Sequence, residues 1–240
     1  MAFPRIAVRR ALQEEIREVV FGLEDSLVST LGAITGIAAG TDNRLLVILS
    51  GFVIIAVESV SMAAGTFLSS KSHRDAQAAI MKNETEAIAR DPQGKLEELK
   101  AVYRQRGFSD AEMQPLLTKA QTQQTFWVEE ISVHKFGIMP SGQENPGRNA
   151  WYMGVSYLLA GIIPIAPYFF SGLSLPYEVA LSIGLTMMTL FGVGVAKGSL
   201  TKTRKLRSAL EMMVISMSAA LIGFLVGKII SELTGVEVRG

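Results

Sequence analysis

The chain of 240 residues has no cysteine and only two histidines. Without thiols there are no disulfides, thiolate metal centres, iron–sulfur clusters or cysteine nucleophiles. His73 and His134 make no HExxH or H-x3–5-H spacing, so both read as surface residues rather than ligands. No Walker loop occurs to cradle ATP phosphates. Charge of one sign is missing too: 23 Lys/Arg against 22 Asp/Glu leave a net charge of +1. With no basic stripe, nucleic acid is excluded as a partner. Charge as a whole is scarce, at 19% of residues against about 25% in soluble domains.

The charges present are unevenly placed. Residues 71–148 hold 22 of the 45 charged side chains, leaving apolar blocks on both flanks. A helix needs about 20 mostly apolar residues to cross a bilayer. Five segments qualify: 19–40, 45–68, 150–171, 177–197 and 209–231. The sequence therefore predicts an all-α membrane protein with five transmembrane helices. A short turn, TDNR (41–44), makes spans one and two an antiparallel hairpin. The N-terminal stretch is basic and amphipathic, but it lacks the apolar core and small-residue cleavage site of a signal peptide. With that end cytoplasmic, twenty Lys/Arg fall inside and three outside, which fixes the expected orientation. Three parts result: an arm with spans one and two (1–70), a cytoplasmic helical domain inserted between spans two and three (71–148), and spans three to five (149–240).

Punctuation inside 71–148 predicts its helices. Asp91-Pro92 ends one helix and opens the next, which stops at Gly107. Ser109 and Glu112 form a capping-box pattern for a third, and a fourth covers about 122–136 up to Gly137. The loop PSGQENPG (140–147) leads back to the membrane.

Ionisable residues at membrane depth cost roughly 2.5–3.5 kcal/mol each on insertion scales and are functional candidates by default. In span one, Gly22, Asp25, Ser29, Gly32 and Gly36 make a small, polar stripe. Close helix packing explains the small residues, but the carboxylate fits a path for cations or protons better. In span two, Glu58 and Met62 are four apart and share a face with Gly51 and Gly65. A carboxylate with a thioether suits Fe(II) or Mn(II). Pro164 and Pro167 should break span three and free carbonyls that must line protein or a cavity. Lys197 is expected to snorkel from the end of span four, and Glu211 to cap the start of span five. Met187 and Met188 read as packing.

The stretches GLEDSLVSTLGAITGIAAG (22–40), ESVSMAAGTFLSSKS (58–72), GIIPIAPYFF (161–170), VGVAKG (193–198) and SALE (208–211) resemble the vacuolar iron transporter family, proton-coupled Fe(II)/Mn(II) exporters of the cytosol. The resemblance runs from about residue 14 to 230. It implies a homodimer with the ion path on the two-fold axis, between spans one and two of both subunits. Asp25 falls at the family's span-one aspartate, linked to metal and proton passage. Met62 falls at its metal-contacting methionine. Eight residues before Met62 the family usually has a glutamate; here Ile54 stands there, and Glu58, one turn on, returns a carboxylate to that face. In the inserted domain Glu84 and Glu98 match two of the family's metal-collecting glutamates. Other ligand positions hold Ala87, Lys95, Ile131, Ser132 and Lys135, and a cation there opposes divalent metal binding. Glu86, Glu97, Glu129 and Glu130 offer a different cluster, or a solvated helix face.

The resulting expectation is a divalent metal transporter, not an enzyme. It would export Fe2+ and/or Mn2+ in exchange for protons along Asp25, Ser29, Glu58 and Met62. No cofactor is expected besides the transported metal; the partners are membrane lipid and a second copy. Either a prokaryotic cell membrane or a eukaryotic vacuolar or other internal membrane fits. The alternatives are a relative with changed substrate or lost coupling, and a membrane scaffold or sensor that tolerates neutralised intramembrane carboxylates. An intramembrane enzyme would have only Asp25, Glu58, Ser29 and Ser61, with no His or Lys base.

Overall fold

The computed structural model describes residues 3–41, 43–138, 145–170 and 173–234, with side chains from residue 14 to 233 within those ranges. Most of the loop expected at 140–147, part of the turn at 41–44 and the end of the chain lie outside them. The elements are helical: α1 (Phe3–Gly40), α2 (Arg44–Arg90), α3 (Pro92–Gln105), α4 (Asp110–Thr122), α5 (Gln124–Phe136), α6 (Pro146–Ile165) with a 3-10 turn (Ala166–Phe169), α7 (Leu175–Leu200) and α8 (Lys205–Thr234). Five stretches are long and apolar enough to cross a membrane: Glu14–Gly40, Arg44–Arg90, Pro146–Phe169, Leu175–Leu200 and Lys205–Leu233.

Two helices outrun their expected spans. α1 begins well before residue 19, because no glycine interrupts it before Gly22 and Pro4 sits in its first turn, where proline is tolerated. α2 continues past residue 68 because SSKSHRDAQAAIMKNETEAIAR contains no breaker. It ends where Asp91-Pro92 forbids the next helical turn.

The chain divides into two compact units, Met1–Leu12 with Leu68–Pro146, and Gln13–Phe67 with Gly147–Gly240. In the first, a core of Ile88, Leu99, Tyr103, Met113, Leu117, Ala120, Trp127, Val128 and Ile131 joins the end of α2 to α3, α4 and α5. The helix ends follow from the sequence. Asp91 caps α3 by accepting from the Gly94 N–H at 2.9 Å, and Gly107 turns with φ +87°. Glu112 accepts from the Ser109 N–H at 2.9 Å and from its hydroxyl at 2.6 Å. Gly137 ends α5 in the left-handed region. His134 departs from expectation. Its Nε2 lies 2.9 Å from Glu130 Oε2 and its side chain is 17% exposed, because Glu130 is one turn back and the ring packs edge-on against Tyr103.

In the second unit the helices approach through small residues. Gly32 and Gly36 of α1 face Ala219 and Gly223 of α8; a Cβ on Gly36 would stand 2.6 Å from the Gly223 carbonyl oxygen, and one on Gly223 would collide with that of Gly32. Without a hydrophobic drive between helices in lipid, such backbone contact is what holds them. The outer faces of α2 and α8 remain apolar and open, as at Leu49, Val53, Val57, Val60, Val214, Ile222 and Ile229. The break at Pro164 is resolved within the protein, where the Ser182 hydroxyl donates to the Pro164 carbonyl at 2.6 Å. Met187 is buried as expected, whereas Met188 is exposed. Glu211 is not a cap: α8 starts at Lys205, and Glu211 lies two turns in, accepting from Arg207 at 2.8 Å.

α7 ends unusually. The Thr203 N–H donates back to the Gly198 carbonyl at 3.0 Å, the wrap that normally places glycine just past a helix end. Here that position is Lys202, with φ +55°, the only positive-φ residue other than glycine among the described residues. The left-handed conformation costs a side-chain-bearing residue about 1 kcal/mol.

Candidate functional site

Asp25 stands 15 residues before the end of α1, and Glu58 lies 14 residues after the start of α2. At 1.5 Å per residue each is about 21–22 Å from the shared turn, so the hairpin sets two carboxylates at one depth. Glu58 Oε2 accepts from the Ser29 hydroxyl at 3.0 Å and from the Tyr157 hydroxyl of α6. The Ser29 and Tyr157 oxygens are 2.6 Å apart. Tyr157 is fully buried, and the Ser26 hydroxyl donates to its carbonyl at 2.6 Å. That packing fixes the phenol and, through it, one oxygen of Glu58.

The other half of this site is unsatisfied. Among the described residues no donor reaches Glu58 Oε1 or either oxygen of Asp25. Asp25 is half-buried and feels the charges of Glu58 and Glu24. Met62, also half-buried, follows Glu58 by one turn on α2. A pair of carboxylates with open oxygens at membrane depth lowers the energy of a cation or of added protons. Among the described residues no group of three or more His, Asp or Glu side chains converges, so one chain does not form a closed carboxylate cage.

The rest of the span-one stripe does something else. Gly22 packs against Met153 and Ser156 of α6, and Gly32 and Gly36 against α8. Packing thus accounts for the glycines, while Asp25 and Ser29 face the carboxylate site. On α2, Gly51 is closed by Ile165 and Ile34, whereas Gly65 meets nothing.

Glu84 and Glu98 are brought together in the first unit, but with ammonium groups between them. Lys95 Nζ lies 2.8 Å from both Glu84 Oε2 and Glu98 Oε2. Lys135 Nζ lies 2.5 Å from Glu98 Oε1 and 3.6 Å from Glu84 Oε1. Hydrogen bonds from Lys135 and then Lys95 hold the Glu98 carboxyl below the usual glutamate range. Two carboxylates facing two ammoniums are neutral as a group, so they offer an incoming divalent cation no net attraction. The alternative set is dispersed: Glu86 faces Arg90, Glu97 faces Lys100, and Glu130 holds Tyr103 and His134. Burial, and then Glu130, push the Tyr103 phenol above its usual range, so it stays a donor.

Three polar features escaped the sequence reading. Tyr157 reads as one more aromatic in an apolar span; its only signal is the adjacent Ser156. Glu178 is fully buried at the start of α7 and takes Arg44 at 2.6 Å, joining α2 to α7. Glu24 pairs with Lys197 at 3.6 Å, so Lys197 is tethered rather than simply snorkelling.

The sequence profile of the VIT family matches residues 16–228. The chain is 27% identical over 219 residues to vacuolar iron transporter 1 of Arabidopsis thaliana, covering 91% of this chain and 87% of that protein. It is 26% identical to vacuolar iron transporter 1 of Eucalyptus grandis, at 91% and 88% coverage. It is 22% identical over 228 residues to the vacuolar iron transporter of Plasmodium falciparum, at 92% and 84%.

Proposed function

The chain belongs to the VIT family, and from that premise we propose that it carries Fe(II), and Mn(II) with it, out of the cytosol in exchange for protons. Its relatives are named as iron transporters, so the coarse function is metal transport by a multi-pass membrane protein, not enzymatic turnover. The observation that carries the reading is the juxtaposition of Asp25, which no donor reaches among the described residues, with Glu58, which has one oxygen held and, among the same residues, one open.

The chemistry follows from the ligands. A hydrated Fe(II) entering a low-dielectric span must exchange water for oxygen donors, and Asp25, Glu58 Oε1 and Ser29 supply them. Met62 adds a thioether, which favours Fe(II) and Mn(II) over the harder Mg(II) and Ca(II). Protons compete for the same carboxylate oxygens, so filling the site with protons from one side expels metal to that side. Tyr157 and Ser29 keep Glu58 oriented when the site is empty.

One chain supplies three oxygen-bearing side chains and one sulfur, short of the six donors a divalent ion of this class commonly takes in octahedral geometry. A second copy across a two-fold axis between α1 and α2 doubles the set, and the open apolar face of α2 is available to it. The Lys/Arg distribution supports an N-terminus in the cytoplasm. Glu84 and Glu98 stand outside the path, since Lys95 and Lys135 already match their charge.

The test is transport by the full-length protein in proteoliposomes with an internal pH dye, challenged with Fe(II), Mn(II), Zn(II) and Mg(II). Fe(II) and Mn(II) entry with opposite proton movement is the expected result. Flux with no proton movement refutes the exchange, and no flux of any metal through folded protein refutes the transport reading.

A further inference from the structure

The second unit holds a cavity of about 790 Å³ lined by Ile16, Arg17, Val20, Phe21, Glu24, Lys197, Leu200, Thr201 and Lys202. It lies at the ends of two candidate spans, in the first turns of Glu14–Gly40 and the last turn of Leu175–Leu200. One wall is apolar, and Phe21 and Leu200 are 50% and 58% exposed. The other carries three cations. Arg17 is engaged by Glu18 at 2.6 Å, and Lys197 by Glu24 at 3.6 Å. Lys202 has no ion-pair partner among the described residues. It alone is held in a left-handed conformation that glycine would adopt freely, at a position where helices normally end on glycine.

We propose that this cavity binds the phosphate headgroup of an anionic phospholipid, with Lys202 as the phosphate contact and an acyl chain along Phe21 and Leu200. The left-handed turn at Lys202 closes the end of α7 through the Thr203–Gly198 hydrogen bond, a bond that glycine would allow without the conformational penalty. What the penalty retains is the lysine side chain, and a residue held in such a state is a marker of function. An ammonium above an exposed apolar wall, at the end of membrane-spanning helices, is the arrangement that recognises an anionic lipid; basic pockets between spans do so repeatedly. Lys197, tied to Glu24, neutralises the one carboxylate that would repel the phosphate.

The experiment is thermal unfolding of the full-length protein in neutral detergent, titrated with phosphatidylglycerol, phosphatidylcholine or inorganic phosphate. Phosphatidylglycerol should raise Tm saturably, and the other two should not. Lys202→Gly should have a lipid-free Tm equal to or above that of the unsubstituted protein, yet need about fivefold more phosphatidylglycerol for half the effect; Lys202→Arg should retain the response. The proposal is overturned if Lys202→Gly responds at the original concentration, or if phosphatidylcholine serves equally well. A matching response to inorganic phosphate overturns the lipid assignment. A lower lipid-free Tm for Lys202→Gly would make the lysine a helix-end stabiliser instead.

Discussion

Lys95→Met should loosen the helices over residues 92–136 while leaving the fold intact. Lys95 Nζ makes two contacts of 2.8 Å, to Glu84 and Glu98, and its side chain is 16% exposed. At an effective dielectric of about 20, each such pair is worth about 6 kcal/mol before desolvation. Burying the ammonium takes back most of that, whereas exposed pairs net under about 1 kcal/mol. This partly buried case falls between, at about 2 kcal/mol, because Glu84 is left buried with only Lys135 at 3.6 Å. In hydrogen exchange on the full-length protein, peptides of α3 and α5 should exchange about thirtyfold faster. Lys95→Met with Glu84→Leu should restore most of the protection, since removing both charges of a buried pair is nearly neutral. The pH dependence has a defined sign. Glu98 is held below its ordinary value near 4.5, so its contribution is present above that value and lost as pH falls through the lower folded one. Burial works against the Lys95 charge, but hydrogen bonds to Glu84 and Glu98 outweigh it and hold the ammonium above 10.5. Its contribution is present below 10.5 and lost as pH rises through the folded value. An exchange rate within twofold of the unsubstituted protein, or a double variant no better than the single, would refute the reasoning.

Gly223→Val should lower Tm in detergent by an amount equivalent to about 1–3 kcal/mol, since its Cβ already collides with the Gly32 carbonyl; Gly184→Ala, in open space, should be neutral or slightly stabilising. Equal effects would refute backbone contact between α1 and α8. Arg44→Met should cost about 3 kcal/mol in thermal unfolding by stranding the fully buried Glu178, and adding Glu178→Leu should recover most of it.

Much of this architecture is legible in the sequence because its signals are local. Asp91-Pro92, Gly107, the Ser109–Glu112 box and Gly137 each stop or start a helix within a few residues, and each does so in the structure. The five apolar blocks are equally plain. What is not legible is which charges meet. Glu178 and Arg44 are 134 residues apart, and Glu58 and Tyr157 are 99 apart; nothing in periodicity pairs them. The stripe in α1 shows the same limit, since spacing puts five small or polar residues on one face but not which helix covers each. Only packing separates the glycines that touch α8 from the Asp25 and Ser29 that face Glu58. Lysines at 95 and 135 do signal a weakened acidic cluster from sequence alone, but that they bridge Glu84 and Glu98 requires the fold.

The central claim is that Asp25 and Glu58 carry the cation. Its most direct test is Fe(II) flux into proteoliposomes by Asp25→Asn and Glu58→Gln, each shown to be folded by its thermal transition. Both isosteric changes keep size and hydrogen bonding but remove the charge. The account predicts that each lowers flux at least tenfold with Tm little changed. Undiminished flux in both variants would contradict it, and undiminished flux in Glu58→Gln alone would remove Glu58 from the path.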